Sequence, residues 1–317
     1  MAALKILRAG LFTTVQDCGR WGYQAEGVPV SGAMDGYSHR LANRVIGNPL
    51  DAATLEVTLM GPHVEFSDAA VFAVAGAHFQ LTLNDSPVPM NHKVEAGPGS
   101  CLRFGERMRG ARAYLAVAGG VDVARVLGSR STHAVSRMGG HEGRALRAGD
   151  VLPVADLAEK GAVPLLPVKG VRPLFSALPE GGARVRVIAG GFSDRIAGRR
   201  FLISTQSDRM GYRLEVPNGR VRLQPDHDLS GIAPAELISS PVPTGAIQLP
   251  PGGQPILLMA DHATAGGYAI AATVISADLP VAGQLAPGDW IEFHACSLED
   301  ADEALDAREA ALTGSTA

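Results

Sequence analysis

Two arginines four residues apart, Arg209 and Arg213 in "SDRMGYRL", enclose a glycine and a tyrosine. A guanidinium fork binds carboxylate or phosphate through paired, charge-assisted hydrogen bonds. In an extended segment the two arginines share a face. Gly211 lets another group approach the backbone, and Ser207 and Tyr212 add hydroxyls. The competing reading is a structural salt bridge to Asp208 or Glu215. Further along, Thr244–Tyr268 reads "TGAIQLPPGGQPILLMADHATAGGY". Gln248 and Gln254 bracket a Pro-Pro-Gly-Gly turn. The apolar run after it delivers Asp261 to the end of a buried strand. There Asp261 can act as a general base, as a cation partner, or as an acceptor of loop N–H bonds. Thr264, Gly266, Gly267 and Tyr268 follow.

A third polar stretch, Thr13–Asp35, places Gln16, Asp17, Arg20, Ser31 and Asp35 in a glycine-rich segment of weak periodicity. Such loops expose groups to ligands more readily than strands do. Asp17 and Gly19 also suit an Asx-type turn. Cys18 reads as structural, because the adjacent carboxylate disfavours a thiolate.

Several chemistries lack their signatures. His262 beside Asp261, and His227 between Asp226 and Asp228, invite a metal, but HxH and HExxH spacings are missing. We read them as surface histidines and expect no metal. Neither a GxxxxGK[ST] phosphate loop nor a GxSxG elbow occurs. A Met-Lys biotin-attachment pair is also missing.

The chain that must position these residues has 317 residues, a length that suggests two domains. It is 46% hydrophobic and 19% charged, enough to bury a core. A net charge of −4 and a pI near 6.1 argue against nucleic acid and anionic membranes as partners. Its three cysteines lie far apart without CxxC spacing, which fits a reduced, cytoplasmic setting. The N-terminus does not read as a signal peptide, and no apolar run is long enough for a membrane helix.

The 38 glycines, 21 prolines and few aromatics suit many turns and short strands. "LKILRAG", "TLEVTLMGPHVEF", "AVFAVAGA", "FQLTL" and "ARAYLAVAGGVDV" read as strands in a first block. A second block opens with the alternating strand "ARVRVIAGG", passes through "RRFLISTQSDRMGYRLEV", "GAIQLP", "QPILLMA" and "IAATVISADLP", and ends at "LAPGDWIEF". The proline-bearing stretch 155–174 reads as the boundary. "LRAGDVLPV" and "LAPGDWIEF" end the two blocks with a shared Leu-x-x-Gly-Asp pattern, and "SGAMDGYSHRLAN" is comparable to "SDRMGYRLEV". These matches suggest two β-rich domains of related design. Helices are expected around Ser38–Val45 and in the acidic tail, where Ser297 caps and Asp300 sits at the third helical position. The fold class is mostly β, with two barrels or sandwiches.

Taken in order, "AGLFTTVQDCGRWGY", "SGAMDGYSHRLANRVIGN", "LEVTLMGPHVEF", "YLAVAGGVDV", "SDRMGYRLE", "GAIQLPPGGQPILLMAD" and "TAGGY" resemble the allophanate hydrolase subunit 2 family. That family is also called the biotin-dependent carboxyltransferase or KipA family and includes the C subunit of prokaryotic 5-oxoprolinase. The likeness runs from about Lys5 to Leu298. It implies tandem cyclophilin-like β-barrel domains over residues 1–160 and 161–296, with a C-terminal helix and tail over 297–317. It implies a KipI-like subunit 1 partner and, in 5-oxoprolinase, a LamB/YcsF-type subunit. The implied reaction is ATP-dependent opening of 5-oxoproline to L-glutamate, with the ATP bound here or by a partner.

The alternatives within the family are a carboxyltransferase that passes a carboxyl group from biotin to urea, and a non-enzymatic regulator that binds a KipI-like protein. Homo-oligomers are a further expectation. For an amide substrate, Asp261, Arg209 and Tyr212 are the expected catalytic groups. Gln16, Asp17, Arg20, Ser31, Asp35, Ser207, Arg213, Gln248, Gln254, Thr264, Gly266, Gly267 and Tyr268 are the expected binding groups, all converging on one cavity. Where the family usually continues "TTGGYP", this chain has "TAGGYAI". Ala265 removes a hydroxyl, and Ala269 removes a proline that would stiffen the loop.

Overall fold

The computed structural model describes residues 2–155, 181–217, 237–251 and 254–313. The expected domain boundary at residue 160 lies outside them. The chain divides into two compact units. One comprises Met1–Arg20, Ser31–Ala177 and Ala310–Ala317; the other comprises Trp21–Val30 and Leu178–Glu309.

The first unit is a nine-stranded sheet. Its strands are β1 (Ala3–Arg8), β2 (Phe12–Gln16), β3 (Thr54–Thr58), β4 (His63–Phe66), β5 (Ala70–Leu83), β6 (Ser86–Val88), β7 (Val94–Ala96), β8 (Cys101–Val117) and β9 (Val151–Pro153). The main path runs β2-β3-β8-β4-β1-β9, with β5 also paired to β8. "AVFAVAGA" and "FQLTL" are one strand, β5. Three register shifts against β8 let it continue through Gly76 and His78 without a turn.

Period-2 alternation explains how this sheet is used. Val15, Leu55, Val57, Ala113 and Leu115 belong to the apolar core. Their alternating neighbours Thr14, Gln16, Thr54, Glu56 and Tyr114 are polar, yet at most 1% exposed. Helix α1 (Gly36–Val45) packs on β3, β5 and β8 and presents seven buried residues, His39 among them. Asp35 caps α1 by accepting Ser38 N–H at 2.9 Å.

The second unit closes a seven-stranded barrel. In barrel order the strands are β10 (Gly182–Ala189), β17 (Ala269–Val274), β14 (Ala246–Leu249), β15 (Ile256–Leu258), β12 (Gly211–Glu215), β11 (Arg200–Ile203) and β18 (Trp290–Ala295). Parallel pairing of β10 with β18, from Gly182↔Trp290 to Val187↔Ala295, completes the circle. Val185, Phe201, Leu214, Ile247, Leu257, Ile291 and Phe293 are at most 1% exposed, and the Phe201 and Phe293 rings lie 5.9 Å apart. A short ribbon pairs β13 (Ser240–Pro241) with β16 (Ala265–Gly266). Helices α2 (Leu279–Gly283) and α3 (Leu298–Thr313) complete the elements. The cap of α3 is as expected: Ser297 Oγ accepts from Asp300 N–H at 3.0 Å, and Asp300 Oδ2 accepts from Ser297 N–H at 3.0 Å.

Of the two shared stretches, one is a structural repeat. In the first unit Asp150 Oδ2 accepts Arg147 N–H at 2.7 Å, Gly149 N–H donates to Ile6 O at 2.7 Å, and Ile6 N–H to Asp150 O at 2.8 Å. In the second, Asp289 Oδ2 accepts Ala286 N–H at 2.8 Å, Gly288 N–H donates to Ile203 O at 2.8 Å, and Ile203 N–H to Asp289 O at 2.9 Å. Both glycines are left-handed, φ 94° and 90°. The other stretch is not repeated. After Asp35 the residues form a helix, whereas Gly211–Glu215 alternates buried and exposed as β12.

Candidate functional site

Pairing in the barrel gathers four chemically active side chains at one end. Gly211 opens β12 opposite Leu258, the last residue of β15, and Gly245, just before β14, donates to Leu258 O at 2.8 Å. Arg209, Thr244, Asp261 and His262 therefore all flank strand termini at the same rim. Arg209 Nε and Nη2 donate to Asp261 Oδ2 and Oδ1 at 2.8 and 3.0 Å. The side chains are 8% and 5% exposed. The backbone reinforces this pairing, since Asp261 N–H donates to Arg209 O at 2.9 Å.

His262 was expected on the surface, but it is 7% exposed. Its Nδ1 is 2.7 Å from Ala263 O and its Nε2 2.9 Å from Thr244 Oγ1. Burial pushes its pKa below the ordinary value, and the Ala263 contact and the Asp261 charge act in the opposite direction.

The remaining second-unit residues take varied places. Tyr212 is 1% exposed, with its hydroxyl 3.4 Å from Leu285 O. Arg213, on β12, is exposed, so it does not share the setting of Arg209. Ser207 Oγ accepts Arg213 N–H at 3.0 Å. Gln248 is buried, and its amide nitrogen makes no hydrogen bond among the described residues. It sits so close to Gly266 that an added Cβ there would lie 2.4 Å from it. Gln254, Thr264 and Gly267 are partly exposed, and Tyr268 is 43% exposed. Ala265 pairs with Pro241 and Ala269 with Leu249, so both departures from the family pattern lie in paired backbone. His227 lies outside the described residues.

The first unit holds a separate polar cluster. Asp17 Oδ1 accepts from Gly19 N–H (2.9 Å), Ser129 Oγ (2.7 Å) and Ser131 Oγ (2.5 Å), and Oδ2 from Arg130 N–H (2.6 Å). Burial pushes this carboxyl up, but the four donors outweigh it and hold the pKa below the ordinary value. The Asx turn is present and the carboxylate is occupied within the chain. Arg20 is fully buried, donating from Nε to Val126 O and from Nη2 to Ser131 O, both at 2.9 Å. Ser31 is buried at φ 58°. Gln16 donates to Thr14 Oγ1 and Thr132 O, while its side-chain oxygen makes no hydrogen bond among the described residues.

Beneath α1, Glu56 Oε2 accepts from Tyr114 Oη and Met34 N–H, and Tyr114 Oη accepts from Asp35 N–H, each at 2.8 Å. His39 Nδ1 meets Thr54 Oγ1 at 2.9 Å, and burial lowers its pKa to about 4. His39, Glu56 and Tyr114 escaped the sequence reading because they sit in regular elements. The only signal for Glu56 and Tyr114 is a polar residue at every second position of strands otherwise rich in apolar residues, and His39 lies on the buried face of α1. Among the described residues, no three His, Cys, Asp or Glu side chains gather as a metal site, and no helix is long and apolar enough to cross a membrane.

A nine-stranded sheet, a closed barrel and a polar barrel rim define a two-unit β protein whose reactive groups sit at strand termini rather than in a cofactor-binding helix-strand turn. Comparison with known proteins makes this particular: the chain belongs to the family of the carboxyltransferase domain, subdomains A and B, whose model matches residues 26–295. It is 38% identical to the C subunit of 5-oxoprolinase from Escherichia coli (strain K12), over 96% of this chain and 94% of that protein. It is 34% identical to a urea amidolyase of Lachancea kluyveri, over 98% of this chain but 18% of that protein. The crystal structure of the K. lactis urea amidolyase superposes with a TM-score of 0.86 at 33% identity, covering 98% of this chain and 20% of that one.

Proposed function

We propose that this chain is the C-type subunit of an ATP-dependent 5-oxoprolinase, which opens 5-oxoproline to L-glutamate with a KipI-like and a LamB/YcsF-type subunit in the cytoplasm. The observation that carries this reading is the end-to-end match to the C subunit of a 5-oxoprolinase. The urea amidolyases match in only about a fifth of their length. The substrate is a planar lactam with a poorly electrophilic carbonyl, an N–H and a carboxylate. The barrel rim offers suitable groups: a fixed Arg209–Asp261 pair, Thr244, which is partly exposed, and Thr264, whose carbonyl accepts from Val242 N–H.

Among the described residues no lysine fits a lysine-and-glycine phosphate cradle. Lys5 and Lys93 are half-exposed and pair with Glu65 and Glu95 at 3.7 and 3.6 Å. Lys160 and Lys169 lie outside the described residues. We therefore assign ATP to a partner subunit and route no step through it here. The test is to purify the chain with both partners and assay ATP- and 5-oxoproline-dependent glutamate release. Full release by the partners without this chain would overturn the reading. So would a complex inert on 5-oxoproline that carboxylates urea when a biotin carboxylase is supplied.

A further inference from the structure

The Thr244–His262 contact joins the loop before β14 to the turn after β15, and simple donor counting fixes its chemistry. The Ala263 carbonyl can only accept, so His262 Nδ1 carries the proton across the 2.7 Å contact. The neutral ring then offers a lone pair at Nε2, and the Thr244 hydroxyl must donate to it across 2.9 Å. His262 is buried, 7% exposed, while Thr244 is a partly exposed residue. A hydroxyl, a base and a group that orients the base form the arrangement that activates hydroxyls in enzymes. Among the described residues the charged group acting on the ring is Asp261, its chain neighbour, and both carboxylate oxygens of Asp261 accept from Arg209. That ion pair limits the pull of Asp261 toward a charged imidazole.

We propose that Thr244 is a catalytic hydroxyl in lactam opening and that His262 is the base that receives its proton. This rests on the 5-oxoprolinase reading. As water adds to the lactam carbonyl, one water O–H bond breaks and its proton passes to Thr244 Oγ1. The Thr244 proton moves to His262 Nε2 in the same step, and the new C–O bond forms. When the C–N bond breaks, the proton returns from His262 through Thr244 to the leaving nitrogen. One water is consumed, nothing is oxidised or reduced, and Nδ1–H stays on Ala263 throughout.

The experiment compares Thr244→Val, Thr244→Ser and His262→Gln in the assembled complex. Thr244→Val and His262→Gln are expected to lower kcat by on the order of a hundredfold or more with little change in KM. Thr244→Ser should stay within a few-fold of the parent. The parent's acid limb of kcat/KM should vanish in His262→Gln, a change that loss of packing alone does not produce. Folded Val and Gln variants with parental kcat and an unchanged acid limb would overturn the proposal. If those two variants unfold, the serine variant decides: parental activity supports the relay, and a folded, inactive protein overturns it. If the parent complex releases no glutamate, the oxoprolinase reading fails. The relay is then judged by 15N NMR of His262, where a protonated Nδ1 and bare Nε2 support it and a proton on Nε2 overturns it.

Discussion

Arg209 and Asp261 bind each other through two hydrogen bonds, at 2.8 and 3.0 Å, with both side chains almost sealed from water. Each was a candidate for gripping a ligand, and in the barrel they are paired with each other. Removing one partner strands a buried charge. Arg209→Ala or Asp261→Ala should each cost about 3–5 kcal/mol, and the double variant clearly less than the sum. Urea titrations of the three variants measure this; additive costs would show that the pair is not coupled.

Asp17 ties the β2 end to Ser129, Arg130 and Ser131. Asp17→Asn should cost about 1–3 kcal/mol. The folded pKa lies below the ordinary 3.8, so its stabilisation is full above that pH and is lost as pH falls through the folded value. The asparagine variant should show a shallower loss of stability in that acid window than the parent.

His39, on the inner face of α1, is fully buried with its pKa lowered from 6.5 to about 4. The unfolded chain therefore binds this proton first. Stability is highest above pH 6.5 and declines toward pH 4, by about 3 kcal/mol from this group alone. His39→Gln should flatten that segment of the stability–pH curve, and an unaltered slope would place the titration elsewhere.

Burial and then the neighbouring Asp17 carboxylate push the Cys18 thiol up to about 11. Its alkylation by iodoacetamide at pH 8 should run roughly a hundredfold slower than that of a free peptide thiol. Mass spectrometry of a timed digest reads this directly, and rapid labelling would contradict the assignment.

Gly139 has φ +67°, and a Cβ there would lie 2.1 Å from Ser131 O and 2.6 Å from Arg20 Nη2. Gly139→Ala should destabilise the first unit by at least about 2 kcal/mol, read as a lowered urea midpoint.

Strands and caps were legible because their causes are local. Alternation marked β1 and β10, and Ser297 with Asp300 marked the start of α3. The chemistry was legible by residue type but not by partner. Arg209 is 52 residues from Asp261, and nothing in "SDRMGYRL" says that its fork is filled from there. His262 read as a surface residue because the loop that covers it, carrying Thr244, precedes it by 18 residues. Asp35 looked like a ligand group but caps a helix, a role visible only once the residues after it are seen to coil.

The twin Gly-Asp turns carry one more implication. Each unit fastens its closing strand with the same three-bond latch, on Ile6 in one and Ile203 in the other. Neither latch borrows an atom from the other unit. The same local device thus ties the approach to the last strand of each sheet to an earlier strand, using only backbone groups and one carboxylate of its own unit.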